Sequence, residues 1–402
     1  MHDLFSKQRL HDTFFELKLR KQADRQKKSP IGLDGVSSEV FEKNLENSLN
    51  EMHRKLKYDG NGEISYSFGP LLRIDRRKSH GGIRTLHIPR LRDQIVLRII
   101  HDELRDCALK NGKEVKLKSP YQYVCEFDNF MMTHDSAWIV KTDIAQFYDS
   151  VPRAIVIELS SSFGMHQDAR ELLKGWSETL KIRNGYNDKR SDSSDFLGLP
   201  QGLSISTLLA ELYAQQIDEK YKYVQGYFRY VDDIVVVCSS REEARNVLVD
   251  LKETIGNIGL KVSPNKTTIV NFSEGLEWLG LFHFPGKKLI HPDKLEQWTR
   301  PFSSIHRECV LKLSNSHTDE DKWIVIKSLI KNIDKFINGK NGSRIRWYSL
   351  IEDEGQWKKM DRHIHGLIRS CLRKAKINES KIGNLPSIHA KIYSMKKQKE
   401  SH

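Results

Sequence analysis

An α+β fold is predicted by three features of the sequence. The central part of the chain alternates short apolar runs with amphipathic stretches, the region from about residue 291 onward keeps a helical apolar period, and the segment Ile64 to Pro89 reads as a hairpin. At 402 residues the chain exceeds one average domain, so two or three lobes around one site are expected.

Each element follows from its local pattern. Residues 4 to 28 read as a basic amphipathic helix, ended by Ser29-Pro30 and the glycines of the turn Gly32 to Gly35. A second helix is expected over 38 to 57. The runs EISYSF, GPLLRI and IRTLHIP surround the polar turn Lys78 to Gly82, which gives the hairpin, and helical periodicity resumes over 93 to 110. A strand from Ala137 to Ile144 follows, then a helix after Pro152 and another from Ser204 to Tyr221. Two β-rich stretches, Gly226 to Tyr230 and Ile234 to Cys238, meet at Asp232-Asp233; a helix over 241 to 258 and a strand-like segment over 260 to 272 complete the set. That order, βαββαβ, predicts a ferredoxin-like antiparallel sheet backed by two helices. Amphipathic helices are expected near 320 to 338 and 344 to 375, and the last ten residues, YSMKKQKESH, as a disordered basic tail.

Composition narrows the partners. Lys and Arg total 66 against 53 acidic residues, a formal charge of +13, which is the footprint of a polyanion binder. The five cysteines lie far apart without a CxxC pair, so neither a zinc site nor a disulfide framework is expected, and a reducing cytoplasm fits. The N-terminus lacks a continuous apolar stretch and no run of 18 apolar residues occurs, so neither secretion nor membrane insertion is expected. Histidines such as His87 and His134 show no ligand spacing.

The chemistry concentrates in acids. Asp232 and Asp233 sit between two apolar strands, where paired carboxylates repel one another unless cations lie there. Asp143 ends the apolar run AWIVKTD and brings a third carboxylate to a strand end. Phosphoryl transfer by two divalent metals needs oxygen ligands from separate elements, and Asp143 with Asp232 is the natural bridging pair, Asp233 the third acid. Between them lies Gly198-Leu199-Pro200-Gln201-Gly202, a turn that opens an apolar helix. Its Gly residues let a backbone come close to a ligand, and the Gln201 amide can contact a nucleotide.

The ordered motifs DIAQFYDSV, GLPQGLS, YVDD, SPNKT and EWLG resemble the palm of reverse transcriptases. The upstream stretches GLDGVSSEVFEKNLENSL and RIDRRKSHGGIRTLHIPRLRDQIVLRII resemble the fingers of bacterial non-LTR enzymes, including those of group II introns. The resemblance covers 31 to about 284. It implies a right-hand polymerase with a basic N-terminal helix (1–30), fingers with part of the palm (31–136), a ferredoxin-like palm (137–288), and a helical thumb with a basic tail (289–402).

The resemblance also implies roles. Asp143, Asp232 and Asp233 would hold two Mg²⁺ ions, with Mn²⁺ as a substitute. Lys78 and Arg84 would grip the incoming triphosphate, where a guanidinium fork suits phosphate oxygens. Gln201 and Gly202 would line the nucleotide pocket. Tyr148 would stand as a steric gate under the sugar's 2′ position and favour deoxynucleotides. Lys266 would lie near the leaving pyrophosphate, and Trp278, Leu279 and Gly280 would form the primer grip. The implied partners are an RNA template, dNTPs and a DNA product, with a protein partner or a homo-oligomer left open.

Subfamily features differ. The NAxxH and VTG segments of retron enzymes are absent, NFSEG standing in that region, and PQGL replaces the PQGG or PQGS usual in intron proteins, with no HNH-like cluster after it. The remaining resemblance is to defence-associated and abortive-infection enzymes, which implies anti-phage action with a dedicated non-coding RNA. The alternatives are an intron-type maturase and a non-catalytic RNA-binding scaffold.

Overall fold

The computed structural model of the chain describes residues 3–23, 31–77, 82–113, 118–185, 196–339 and 343–400. Helix α1 spans Lys7–Ala23, starting three residues after the expected 4; residues 24 to 28 of the expected helix lie outside the described residues. The single helix expected over 38 to 57 is two, α2 (Ser38–Lys43) and α3 (Leu45–Lys55). They part at Asn44, whose φ of −123° and ψ of 34° leave the helical region. Ser37 caps α2 by accepting from the Val40 N–H.

The expected hairpin is β1 (Leu71–Arg77) and β2 (Ile83–Ile88), antiparallel and in the register Leu72–Ile88 to Arg77–Ile83. Helix α4 (Leu91–Lys110) follows, then α5 (Pro120–Met131), an unforeseen helix opened by a capping box between Ser119 and Gln122. Next come β3 (Trp138–Asp143), α6 (Phe147–Ser150), α7 (Arg153–Ser161), α8 (Gln167–Glu178) and the short β4 (Ile182–Arg183), which pairs parallel to β1. Helix α9 (Ser204–Tyr221), β5 (Tyr227–Tyr230), β6 (Asp233–Cys238), α10 (Arg241–Asn257) and β7 (Thr268–Asn271) continue the chain. The strand-like stretch expected over 260 to 272 is therefore mostly a 3₁₀ turn at Pro264–Lys266 and the four residues of β7.

Strands β8 (Leu276–Trp278), β9 (Leu281–Phe284) and β10 (Lys287–Ile290) form an antiparallel meander. Helices α11 (Pro292–Ser314), α12 (Asp319–Asn338), α13 (Ser343–Tyr348), α14 (Glu354–Ala375) and α15 (Ile388–Glu400) complete the fold. The expectation of a disordered tail is corrected by α15, which stays helical to Glu400. Its backbone carries no Gly or Pro after Pro386 to stop it, and Ile388 and Ile392 are buried in the helical core.

The four-stranded sheet runs in the order β5-β6-β3-β7. Numbered by sequence these are strands 2-3-1-4, the order a βαββαβ chain takes, with α6 to α8 and β4 inserted between the first strand and α9. Two compact units are built from interleaved segments: residues 1–117, 141–234 and 248–267 form one, and 118–140, 235–247 and 268–402 the other.

In the first unit α4 is the central post, with Ile95, Val96, Ile99, Ile100 and Leu104 buried, and it packs on α1 and α9. Its entry is fixed by the buried Asp93, which accepts from Arg90, from the Tyr66 hydroxyl at 2.7 Å and from the Gly69 amide at 3.1 Å. The second unit buries Ile326, Ile333, Trp357, Ile364 and Ile368 among its helices. No helix among the described residues is long and apolar enough to cross a membrane.

Candidate active site

Backbone hydrogen bonds place the acids. Asp143 is the last residue of β3, Asp232 lies in the turn between β5 and β6, and Asp233 begins β6. The Ile144 amide donates to the Asp232 carbonyl at 2.9 Å, and the Asp143 carbonyl accepts from the Ser263 amide at 2.7 Å. The strand end bearing Asp143 is thus tied on one side to the acidic turn and on the other to the loop bearing Lys266. The turn itself is constrained: Val231 has φ of +60°, a conformation rare for a β-branched residue and worth roughly 1–3 kcal/mol of strain.

The electrostatics of the cluster are those of a site that attracts cations. Burial pushes Asp232 above the usual carboxylate range, and the neighbouring Asp143 adds to it, against the opposing pull of Lys266 and Arg84. Asp233 is pushed up to about 7, chiefly by burial, with Asp232 and Asp143 reinforcing it and Lys141 opposing. Lys266 donates to Asp143 Oδ2 at 2.6 Å. Burial lowers the affinity of that ammonium for its proton, but the bond to Asp143 and the fields of Asp232 and Asp233 outweigh it, so its pKa is raised.

Among the described residues no three His, Cys, Asp or Glu side chains are drawn together in a metal-holding group; the Lys266 ammonium supplies the positive charge at Asp143 instead. The donors nevertheless suit a hard divalent cation. They are all carboxylate oxygens, and Asp233 Oδ1 is buried with no hydrogen-bond partner. Asp143 and Asp232 would hold such an ion, with Asp233 behind them, and the ion would supply Lewis acidity at a phosphoryl oxygen.

The Gly198 to Gly202 loop is fastened to the segment after Asp143. The Leu199 amide donates to the Tyr148 carbonyl at 2.7 Å, and a Cβ at Gly198 would stand 2.4 Å from the Asp149 carbonyl oxygen. Gly198 therefore serves close approach to the chain's own backbone, which corrects the expectation that it makes room for a ligand. Buried Arg153, which nothing in the sequence singled out, donates through Nη1 to the carbonyls of Phe196 at 2.7 Å and Gly198 at 2.9 Å. Gln201 is half-buried, and Gly202 is exposed with φ of +108°. The Tyr148 hydroxyl reaches Thr207 at 3.4 Å; burial raises its pKa, and Asp232 is among the charges that act on it. Tyr148 thus lies within the field of the acids.

Arg84 is exposed on β2 and acts on Asp232, whereas Lys78 lies outside the described residues. A residue missed in the sequence is Arg76, paired directly opposite Arg84. Side chains two apart share a face, so Arg76 and Arg84 share the face of Leu86, whose Cδ2 would lie 3.5 Å from a Cβ at Gly202. Two guanidinium groups opposite one another repel unless an anion spans them. Centring the hairpin on His80, the middle of the turn expected over 78 to 82, would have found this pair. Trp278, Leu279 and Gly280 belong to the second unit: Trp278 is fully buried and the other two form the β8–β9 turn.

Comparison with known proteins gives four findings. The reverse transcriptase (RNA-dependent DNA polymerase) family matches residues 76–283, just over half of the chain. An uncharacterized 91 kDa protein in the cob intron of Schizosaccharomyces pombe is 25% identical, over 86% of this chain and 46% of its own length. A putative COX1/OXI3 intron 2 protein of Saccharomyces cerevisiae is 22% identical, over 70% of this chain and 38% of its own. The chain thus spans less than half the length of either fungal protein. Among solved structures, apo telomerase from Candida tropicalis aligns with a TM-score of 0.46 at 13% identity, over 79% of this chain and 63% of that one.

Proposed function

Because the chain belongs to the reverse transcriptase family, we propose that it is an RNA-directed DNA polymerase, joining deoxynucleotides by phosphoryl transfer at Asp143, Asp232 and Asp233 with two Mg²⁺ ions. One observation carries this reading: three carboxylates from two strand ends are cross-tied by backbone hydrogen bonds, with Lys266 against them. In the two-metal scheme such acids hold the ions that activate the primer's 3′ hydroxyl and steady the triphosphate. Arg84 and Arg76 would take the triphosphate, Gln201 and Gly202 the nucleotide, and Tyr148 the face of the sugar. Primer extension on an RNA template tests the reading. Wild type should incorporate dNTPs, and Asp232→Asn should not.

For the biological role we propose anti-phage defence with a dedicated non-coding RNA as template, in the reducing cytoplasm to which five free thiols point. A second reading, an intron-associated maturase, is favoured by the intron-borne relatives. Sequencing the RNA and DNA that co-purify with the protein separates them: a structured RNA beside a free gene supports defence, an enclosing intron supports the maturase.

A further inference from the structure

We propose that Arg229 is a positioning residue for the acidic turn, its guanidinium holding the Val231–Asp232 peptide in the orientation that aims the Asp232 carboxylate. The inference rests on the reading of Asp232 as a polymerase ligand. Arg229 lies on β5 and is buried.

A guanidinium has five N–H donors, and all five are engaged. Nε donates to Asp218 Oδ1 at 2.7 Å, and Nη2 to Asp218 Oδ2 and to Glu211 Oε1, the latter at 2.7 Å. Nη1 donates to Glu211 Oε2 at 3.1 Å and to the Val231 carbonyl at 2.9 Å. Glu211 and Asp218 are seven residues apart on α9, two turns along one face, so both carboxylates grip the fork from the same helix. The Tyr227 hydroxyl also donates to Asp218, at 2.7 Å.

One carboxylate would neutralise the buried cation, and the second makes the fork immobile. Only one of the five bonds leaves this ionic knot, and it goes to the carbonyl of the residue at φ +60°. The peptide preceding Asp232 is therefore held by Arg229, while the Asp232 carbonyl, in the peptide that follows, is held by the Ile144 amide. Asp232 is clamped from both sides, and one of the two clamps is a side chain. A lysine carries a comparable charge but no planar fork, so it cannot serve both acids and the carbonyl together.

The test compares R229K with R229K/V231G. Glycine takes positive φ without strain, so it lessens the need for the clamp. R229K should lower kcat by about 30-fold or more while leaving KM for dNTP and affinity for template–primer within about threefold, and adding V231G should restore at least about tenfold. Amide exchange at Asp232 to Ile234 should quicken by about tenfold in R229K, independently of synthesis. Should R229K not fold, E211Q, which keeps the shape of the acid and loosens its hold, takes its place with the same expectations.

A folded variant with kcat within threefold of wild type, or a loss that V231G leaves unchanged, overturns the proposal. If wild type itself copies no template, the polymerase reading falls, and the exchange measurement alone decides: faster exchange upholds the clamp and unchanged exchange refutes it.

Discussion

Two tight turns in this chain put a residue other than glycine into the left-handed region and stabilise it by different means. In the β5–β6 turn only the first central residue, Val231, has positive φ, the pattern of a type II′ turn where glycine is usual. In the β8–β9 turn both central residues, Leu279 at +48° and Gly280 at +85°, are positive, as a type I′ hairpin requires. The first turn is fixed by a guanidinium and two carboxylates. The second leans on Trp278, whose buried indole packs edge-on against Phe127, and on His283, whose two ring nitrogens face Asp128 and the Trp278 carbonyl. Charge gives direction, so the first turn can aim a ligand; apolar packing gives cohesion, so the second can support a load.

Substitutions should separate these two roles. Asp232→Asn should reduce DNA synthesis by a thousandfold or more, about 4 kcal/mol in the transition state, because it removes the proposed metal ligand. Its melting temperature should not fall, since burial already disfavours that charge. Extension assays and thermal melts check both, and synthesis within tenfold of wild type would sink the assignment. Trp278→Ala should do the reverse, costing about 3–5 kcal/mol of stability as large aromatic-to-alanine changes in cores do. A melt unmoved by more than a degree or two would show that the second turn is not held by packing.

Tyr148→Ala probes the first turn's surroundings with a smaller effect. The ratio of kcat/KM for dGTP over GTP should fall tenfold or more, about 1.4 kcal/mol for each factor of ten, while dNTP use persists. An unchanged ratio would remove the sugar gate from this ring.

The smallest effect is one of pH. Burial pulls His87, which backs Gln201 through a backbone bond of 2.8 Å, down to about 4. The unfolded imidazole titrates near 6.5, so the unfolded chain takes up the proton first. Stability present above pH 6.5 is then lost as pH falls toward 4, by roughly 1 kcal/mol at pH 5.5. His87→Gln should flatten this part of the pH–stability profile in denaturant melts, and an equally steep profile in the variant would exclude His87 as its source.

What could be read in the sequence was what repeats locally or falls in a fixed order. The strands ending in Asp143 and bracketing Asp232-Asp233 announce themselves by apolar runs, and their alternation with helices is enough to yield the sheet order β5-β6-β3-β7. Long-range partnerships left no such trace. Arg229 reads as one more cation in a basic chain until folding sets it between Glu211 and Asp218, and Arg153 gains meaning only from the carbonyls it meets. Asn44 breaks a helix that propensity alone would have continued, since its neighbours are compatible with either outcome. Gly198 was legible as special, but its reason, the backbone of Asp149, lies 49 residues away.

The bond from Lys266 to Asp143 spans 123 residues of chain, which bears on biosynthesis. A ribosome adding roughly 5–20 residues per second exposes Asp143 some 6 to 25 seconds before Lys266 is made. During that interval β3 lacks its cation, although the β6 strand end, beginning at Asp233, is made 33 residues before Lys266. All three carboxylates, and the Ile144–Asp232 bond that ties their strand ends, thus precede the ammonium that offsets their charge. A transcript cut before that codon would yield a protein whose acidic residues keep the backbone bond that gathers them but lack the cation that offsets their repulsion.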